Sequence, residues 1–161
     1  MCLNGIKWLL LISCAACSTM QSGIRVLDEQ CRTKYIQRNE RQLLVYMSYP
    51  YCSGCVTQLS ELLQKEAAAH RIKPVYLVYE PNRKLKSPTD CVYSQALLAQ
   101  TKQNYPAVHK AFMLRDSSVL SGITHGMVLQ RNDSMRLSHD SMFHGIQLQA
   151  ERVKAFLDYR H

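Results

Sequence analysis

Cys52-Ser53-Gly54-Cys55 stands at the junction of two segments with different hydrophobic periods. Before it, Leu43-Leu44-Val45-Tyr46-Met47 is an unbroken apolar run rich in strand formers, the pattern of a strand buried on both faces. After it, apolar residues fall at positions 56, 59, 62, 63 and 67, which is helical spacing. A strand that turns directly into an amphipathic helix needs a sheet to pack the helix on. Val75-Leu77-Tyr79 and their neighbours supply a second buried strand just after Pro74.

The remaining pattern alternates in the same way. Ile24, Leu27, Cys31 and Tyr35 recur at helical spacing and predict a helix over 23–38, broken by Asn39-Glu40-Arg41. Pro81 to Asp90 reads as a polar, basic loop with a solvated turn at Arg83-Lys84-Leu85-Lys86. Asp90 is placed to cap a helix running to about Lys102. A short strand near Ala111–Leu114 follows, then a hairpin from Met127–Gln130 and Met135–Leu137 around Asn132-Asp133-Ser134. Ile146–Tyr159 is a closing amphipathic helix with Val153, Phe156 and Leu157 inward. The expectation is an α/β fold in one domain over 23–161.

The cysteine spacing suits thiol chemistry. The thiolate is the nucleophile, and free cysteine is mostly protonated at neutral pH. Unpaired N–H groups and the dipole at a helix start favour negative charge, so Cys52 is the expected attacking sulfur. Cys55, at i+3, shares its side of the helix and is the expected resolving sulfur. Gly54 adds no bulk beside the pair, which leaves room for a partner chain. A structural zinc half-site would need a second ligand pair, and a permanently closed disulfide is the other bland account of the same spacing.

The N-terminus reads as an address. Lys7 precedes Trp8-Leu9-Leu10-Leu11-Ile12, and small residues follow up to Ser18. A cysteine at the cleavage point resembles a bacterial lipoprotein signal, in which that cysteine is lipidated. Leu11-Ile12-Ser13-Cys14 has the better residue types, whereas Cys17 leaves the fuller apolar core, so residues 1–17 are assigned as signal and anchor and 18–22 as tether. No apolar run reaches the ~18 residues of a membrane span. The resemblance implies a bacterial cell envelope location facing the periplasm, where disulfides persist.

The order strand, CxxC, helix, strand, helix, hairpin, helix resembles that of the extracytoplasmic thiol–disulfide oxidoreductases related to thioredoxin. The resemblance covers roughly residues 40 to 160 and implies a thioredoxin fold, a central mixed sheet flanked by helices. It also implies an enzyme that exchanges disulfides with exported cysteine-containing proteins and with a membrane or periplasmic redox partner, needing no cofactor. The family's cis-proline before the strand facing the dithiol is missing: Ser121-Gly122-Ile123-Thr124-His125-Gly126 puts Thr124 in its place. Tyr51, Thr124 and His125 are therefore the expected substrate-contacting residues. The family's buried acid is also missing; Tyr46 stands near its position, and Glu80 is the substitute candidate.

Losing the proline raises a binding alternative, a metallochaperone holding Cu(I) through Cys52, Cys55 and His125. A non-catalytic interaction module of the same fold is the third reading. Cys31 and Cys91 are either small buried hydrophobes or a second disulfide, and spacing alone leaves that open. The net charge of +8 comes from scattered Lys and Arg with no RNA-binding signature, so nucleic acid is not an expected partner. His70, His109, His139, His144 and His161 need no role.

Overall fold

The computed structural model describes residues 23–38, 41–49, 53–81, 83–117, 120, 126–131, 134–138 and 146–159. The chain is α/β, built on one mixed seven-stranded sheet. In chain order the elements are β1 (Ile24–Leu27), β2 (Thr33–Ile36), β3 (Gln42–Ser48), α1 (Ser53–Ala69), β4 (Lys73–Tyr79), α2 (Thr89–Asn104), β5 (Ala111–Leu114), β6 (Gly126–Gln130), β7 (Ser134–Ser138) and α3 (Ile146–Asp158). The strand order is β2-β1-β5-β4-β3-β6-β7. β4 lies parallel to both β3 and β5, and every other pairing is antiparallel.

The two continuous apolar runs occupy the sheet centre, as strands covered on both faces must. Along β3, Leu43, Val45 and Met47 point to one face and Leu44 and Tyr46 to the other. The first face takes the three helices of the described residues: Val56, Leu59 and Leu63 of α1, Leu97 and Leu98 of α2, and Val153 and Leu157 of α3. Chain handedness explains α1 and α2. The crossovers β3-α1-β4 and β4-α2-β5 step the same way across the sheet, and right-handed crossovers then put both helices on one side.

The predicted helix over 23–38 is a hairpin instead. Asp28 accepts hydrogen bonds from the Gln30 and Arg32 N–H groups at 3.0 and 2.8 Å, closing a turn that no helix could contain. Cys31 sits in that turn with φ 59, a left-handed conformation foreign to a helix interior. The two sides pair as antiparallel strands, with Ile24 opposite Ile36 and Val26 opposite Lys34. Propensity favours this outcome, since Ile24, Val26, Thr33 and Ile36 are all β-branched.

The hairpin also closes the second face. Carrying the strand registers across the sheet puts Ile36 level with the C-terminal end of β3. In a flat sheet Ile36 would lie about 30 Å from Gln42, but the intervening chain spans at most about 20 Å. The sheet must therefore coil until β2 approaches the second face. Val26 and Ile36 accordingly join Leu44, Val75, Phe112 and Val128 in one buried cluster.

Candidate dithiol site

The parallel strands β3 and β4 end side by side, Ser48 opposite Tyr79. Tyr49 stays attached, its N–H donating to the Tyr79 carbonyl at 2.7 Å. The helix α1 then begins at Ser53, the residue that follows Cys52 in the chain, and its first turn carries no acidic residue. Cys55 belongs to that turn. Val56, Leu59, Leu63 and Ala67, each no more than 3 % exposed, fix α1 on the sheet. Its N-terminal N–H groups are thereby held at the C-terminal edge of β3. Gly54 is exposed, and a side chain there would meet nothing within 4 Å.

β6 starts at Gly126 and runs antiparallel to β3, with Met127 opposite Met47. β6 therefore begins beside the end of β3. Tyr51, Cys52, Thr124 and His125 themselves lie outside the described residues, as do the side chain of Cys55, the anchor candidates Cys14 and Cys17 and the tether 18–22. Among the described residues no three His, Cys, Asp or Glu side chains gather as metal ligands, and no helix is long and apolar enough to cross a membrane.

The loop after β4 forms a charged cluster that the sequence reading treated as a solvated turn. Arg83 bonds Glu80 at 2.9 Å and Asp90 at 3.1 Å, and its guanidinium lies 3.8 Å from the centroid of the Tyr93 ring. The Tyr93 hydroxyl donates to Glu80 at 3.1 Å. Burial, then the Glu80 charge and hydrogen bond, push the Tyr93 phenol up to about 12. Leu85, in the middle of the supposed turn, is only 3 % exposed. Glu80 is thus tied to Arg83 and Tyr93 and is 39 % exposed on its side chain, so it does not replace a buried proton-handling acid.

Asp90 also departs from its expected role. It accepts from the N–H groups of Lys86 and Ser87 at 2.7 and 2.9 Å, which closes the preceding loop, while Pro88 occupies the N-cap of α2 without a side-chain bond. Those N–H bonds, from Ser87 first and then Lys86, together with Arg83, hold the Asp90 carboxyl well below the usual range. The signal for this cluster was Asp90 and Tyr93 at i, i+3 behind a basic loop.

Cys91 lies in the first turn of α2 and is disulfide-bonded to Cys31, with Cα atoms 5.5 Å apart. Cys31 is therefore on a hairpin turn and not on a helix. The same turn reaches further along α2: Gln95 donates to the Glu29 carbonyl at 3.0 Å, and Lys102 pairs with the Glu29 carboxylate. Positions 91, 95 and 102 share one helix face. With this pair bonded, Cys52 and Cys55 are the remaining cysteines of residues 23–161.

These features define an α/β protein with a mixed sheet and a helix, α1, that begins at Ser53 within the CxxC sequence. In comparisons with protein-family models, curated proteins and solved structures, the chain matches none of them.

Proposed function

We propose that this chain is a thioredoxin-like thiol–disulfide oxidoreductase, held at a bacterial envelope by lipid on Cys17 or Cys14 and acting on exported cysteine-containing proteins. The observation that carries the reading is that α1 starts immediately after Cys52, at the end of a central strand, with no carboxylate in its first turn. A sulfur before a helix start is favoured as thiolate by the N–H groups and dipole there. Two further features support it. The strands β4-β3-β6-β7 form a parallel pair followed by an antiparallel hairpin, an order compatible with that reading. The Cys31–Cys91 bridge is of a kind that persists in oxidising compartments.

The chemistry balances with the two cysteines alone. The Cys52 thiolate attacks one sulfur of a client disulfide, forming a mixed disulfide and releasing the other client sulfur as thiolate. The Cys55 thiolate then attacks the Cys52 sulfur and releases the second client thiolate. The client gains two electrons, and Cys52–Cys55 becomes the disulfide that a redox partner must reduce. The reverse sequence oxidises a client dithiol.

The test is insulin-disulfide reduction by the full chain beside its Cys52→Ser and Cys55→Ala variants, with the alkylation rate of Cys52 followed against pH. The expected result is activity abolished in Cys52→Ser, a trapped mixed disulfide in Cys55→Ala and a Cys52 pKa below the free-thiol value of about 8.5. Equal activity in wild type and Cys52→Ser overturns the reading.

A further inference from the structure

At the opposite end of β3 from Ser48, a cavity of about 360 Å³ opens between β2 and the second face of the sheet. Its floor is apolar, formed by the buried side chains of Phe112, Val75 and Ile36. Its rim carries Lys34, Arg38 and Lys110, and no acidic residue lines it among the described residues. Lys34 is shared with Asp28 at 3.0 Å, whereas Arg38 and Lys110 make no ion pair among the described residues. Lys110 instead lies 5.7 Å from the centroid of the Phe112 ring. Gln42 is also on the lining. A second cavity of about 430 Å³ adjoins through Arg38 and is lined by Gly23.

We propose that this cavity binds a small organic phosphate ester, the chemistry shared by phospholipid headgroups and free glycerol phosphates. Two cations on one rim with no ion pair among the described residues suit a phosphate, which Arg binds through its fork and Lys as a point charge. The apolar floor takes the carbon skeleton, and the volume is that of a small-molecule site.

Position favours the headgroup source, and in this respect the inference rests on the anchored reading proposed above. Gly23 is where the tether 18–22 joins the domain, and the six residue steps from a lipidated Cys17 to Gly23 span at most about 22 Å. The basic cavities would then face the bilayer. Gln42 and Ser48 are the two ends of β3, roughly 20 Å apart, so the cavity lining at Gln42 and the strand end that leads to α1 are separated by the length of that strand.

The experiment uses the full chain carrying Cys14→Ser and Cys17→Ser, so that no lipid anchor contributes. Titration with glycerol 3-phosphate at about 0.15 M ionic strength, where distant surface charges are screened, is expected to saturate. Affinity should fall at least ten-fold in Arg38→Ala/Lys110→Ala, and by less than two-fold in Lys65→Ala/Lys154→Ala, which removes the same charge from exposed helix positions. Flotation with phosphatidylglycerol but not phosphatidylcholine vesicles, lost in the Arg38/Lys110 variant, assigns the site to headgroups. Glycerol phosphate binding without such flotation supports the cavity and assigns it to free esters. Absence of saturable binding, or equal losses in the two double variants, overturns the proposal whatever the insulin assay shows.

Discussion

Cys31 and Cys91, 60 residues apart in sequence, are bonded across the space between the hairpin turn and the first turn of α2. The bond joins an element from the sheet edge to the helix that carries Asp90 and Tyr93. A crosslink of this loop length restricts the unfolded chain by about 4 kcal/mol in the chain-entropy account, and measured removals cost about 2–5 kcal/mol. The Cys31→Ser/Cys91→Ser variant is expected to lose stability in that range by urea denaturation, with insulin reduction retained by the folded fraction. A loss of activity parallel to that of Cys52→Ser would mean that the bridge itself takes part in exchange.

Asp28 gives the hairpin an acid limit. Burial raises its pKa, but N–H bonds from Arg32 and Gln30 and the Lys34 and Arg32 side chains outweigh it and hold the carboxyl at about 2. A depressed carboxylate stabilises the fold above its ordinary value of 3.8 and ceases to do so as pH falls through about 2. Asp28→Asn should cost about 2 kcal/mol at neutral pH, the scale of losing charge-assisted bonds. The gap between wild type and variant should close as pH falls from about 4 to about 2. A gap that stays constant over that range would show that the carboxylate charge is not what matters.

Tyr93 sets a limit at the other extreme. Its phenol is raised from 10.0 to about 12, so the neutral form is the one the fold favours. Its contribution is complete below pH 10 and is lost as pH rises through about 12. Phenolate absorbance of the folded protein should show one late-titrating group missing from Tyr93→Phe, and the variant should lose about 1 kcal/mol at neutral pH. A difference spectrum titrating near 10 would contradict the Glu80 bond.

Gly54 separates stability from recognition. Its added Cβ meets nothing, and alanine is the better helix former, so Gly54→Ala should stabilise the chain by about 0.5–1 kcal/mol. If a client chain passes over this turn, the same methyl group should raise KM for insulin several-fold with little change in kcat. An unchanged KM would place client contact elsewhere.

The central elements were legible because their residues left little choice. Leu43–Met47 and Val75–Tyr79 are too apolar to be anything but doubly buried strands, and both form such strands. The hairpin was misread because Ile24, Leu27, Cys31 and Tyr35 satisfy a helical period by accident. Asp28, the residue that decides the turn, acts through backbone N–H groups that a period count does not weigh. The Glu80–Arg83–Tyr93 cluster was missed because Arg83 reads as one more surface cation until Asp90 and Tyr93 are brought over it. The Cys31–Cys91 pairing depended on that same hairpin, since a helix over 23–38 would have placed Cys31 differently.

β1 pairs with β5, whose residues come almost ninety positions later in the chain. During synthesis the first hairpin to emerge therefore has no place in the sheet until β3, α1, β4 and α2 have been made. Oxidation that runs ahead of assembly leaves Cys31 free to join Cys52 or Cys55 before Cys91 is available, and such a chain would have to be unscrambled before the hairpin could dock.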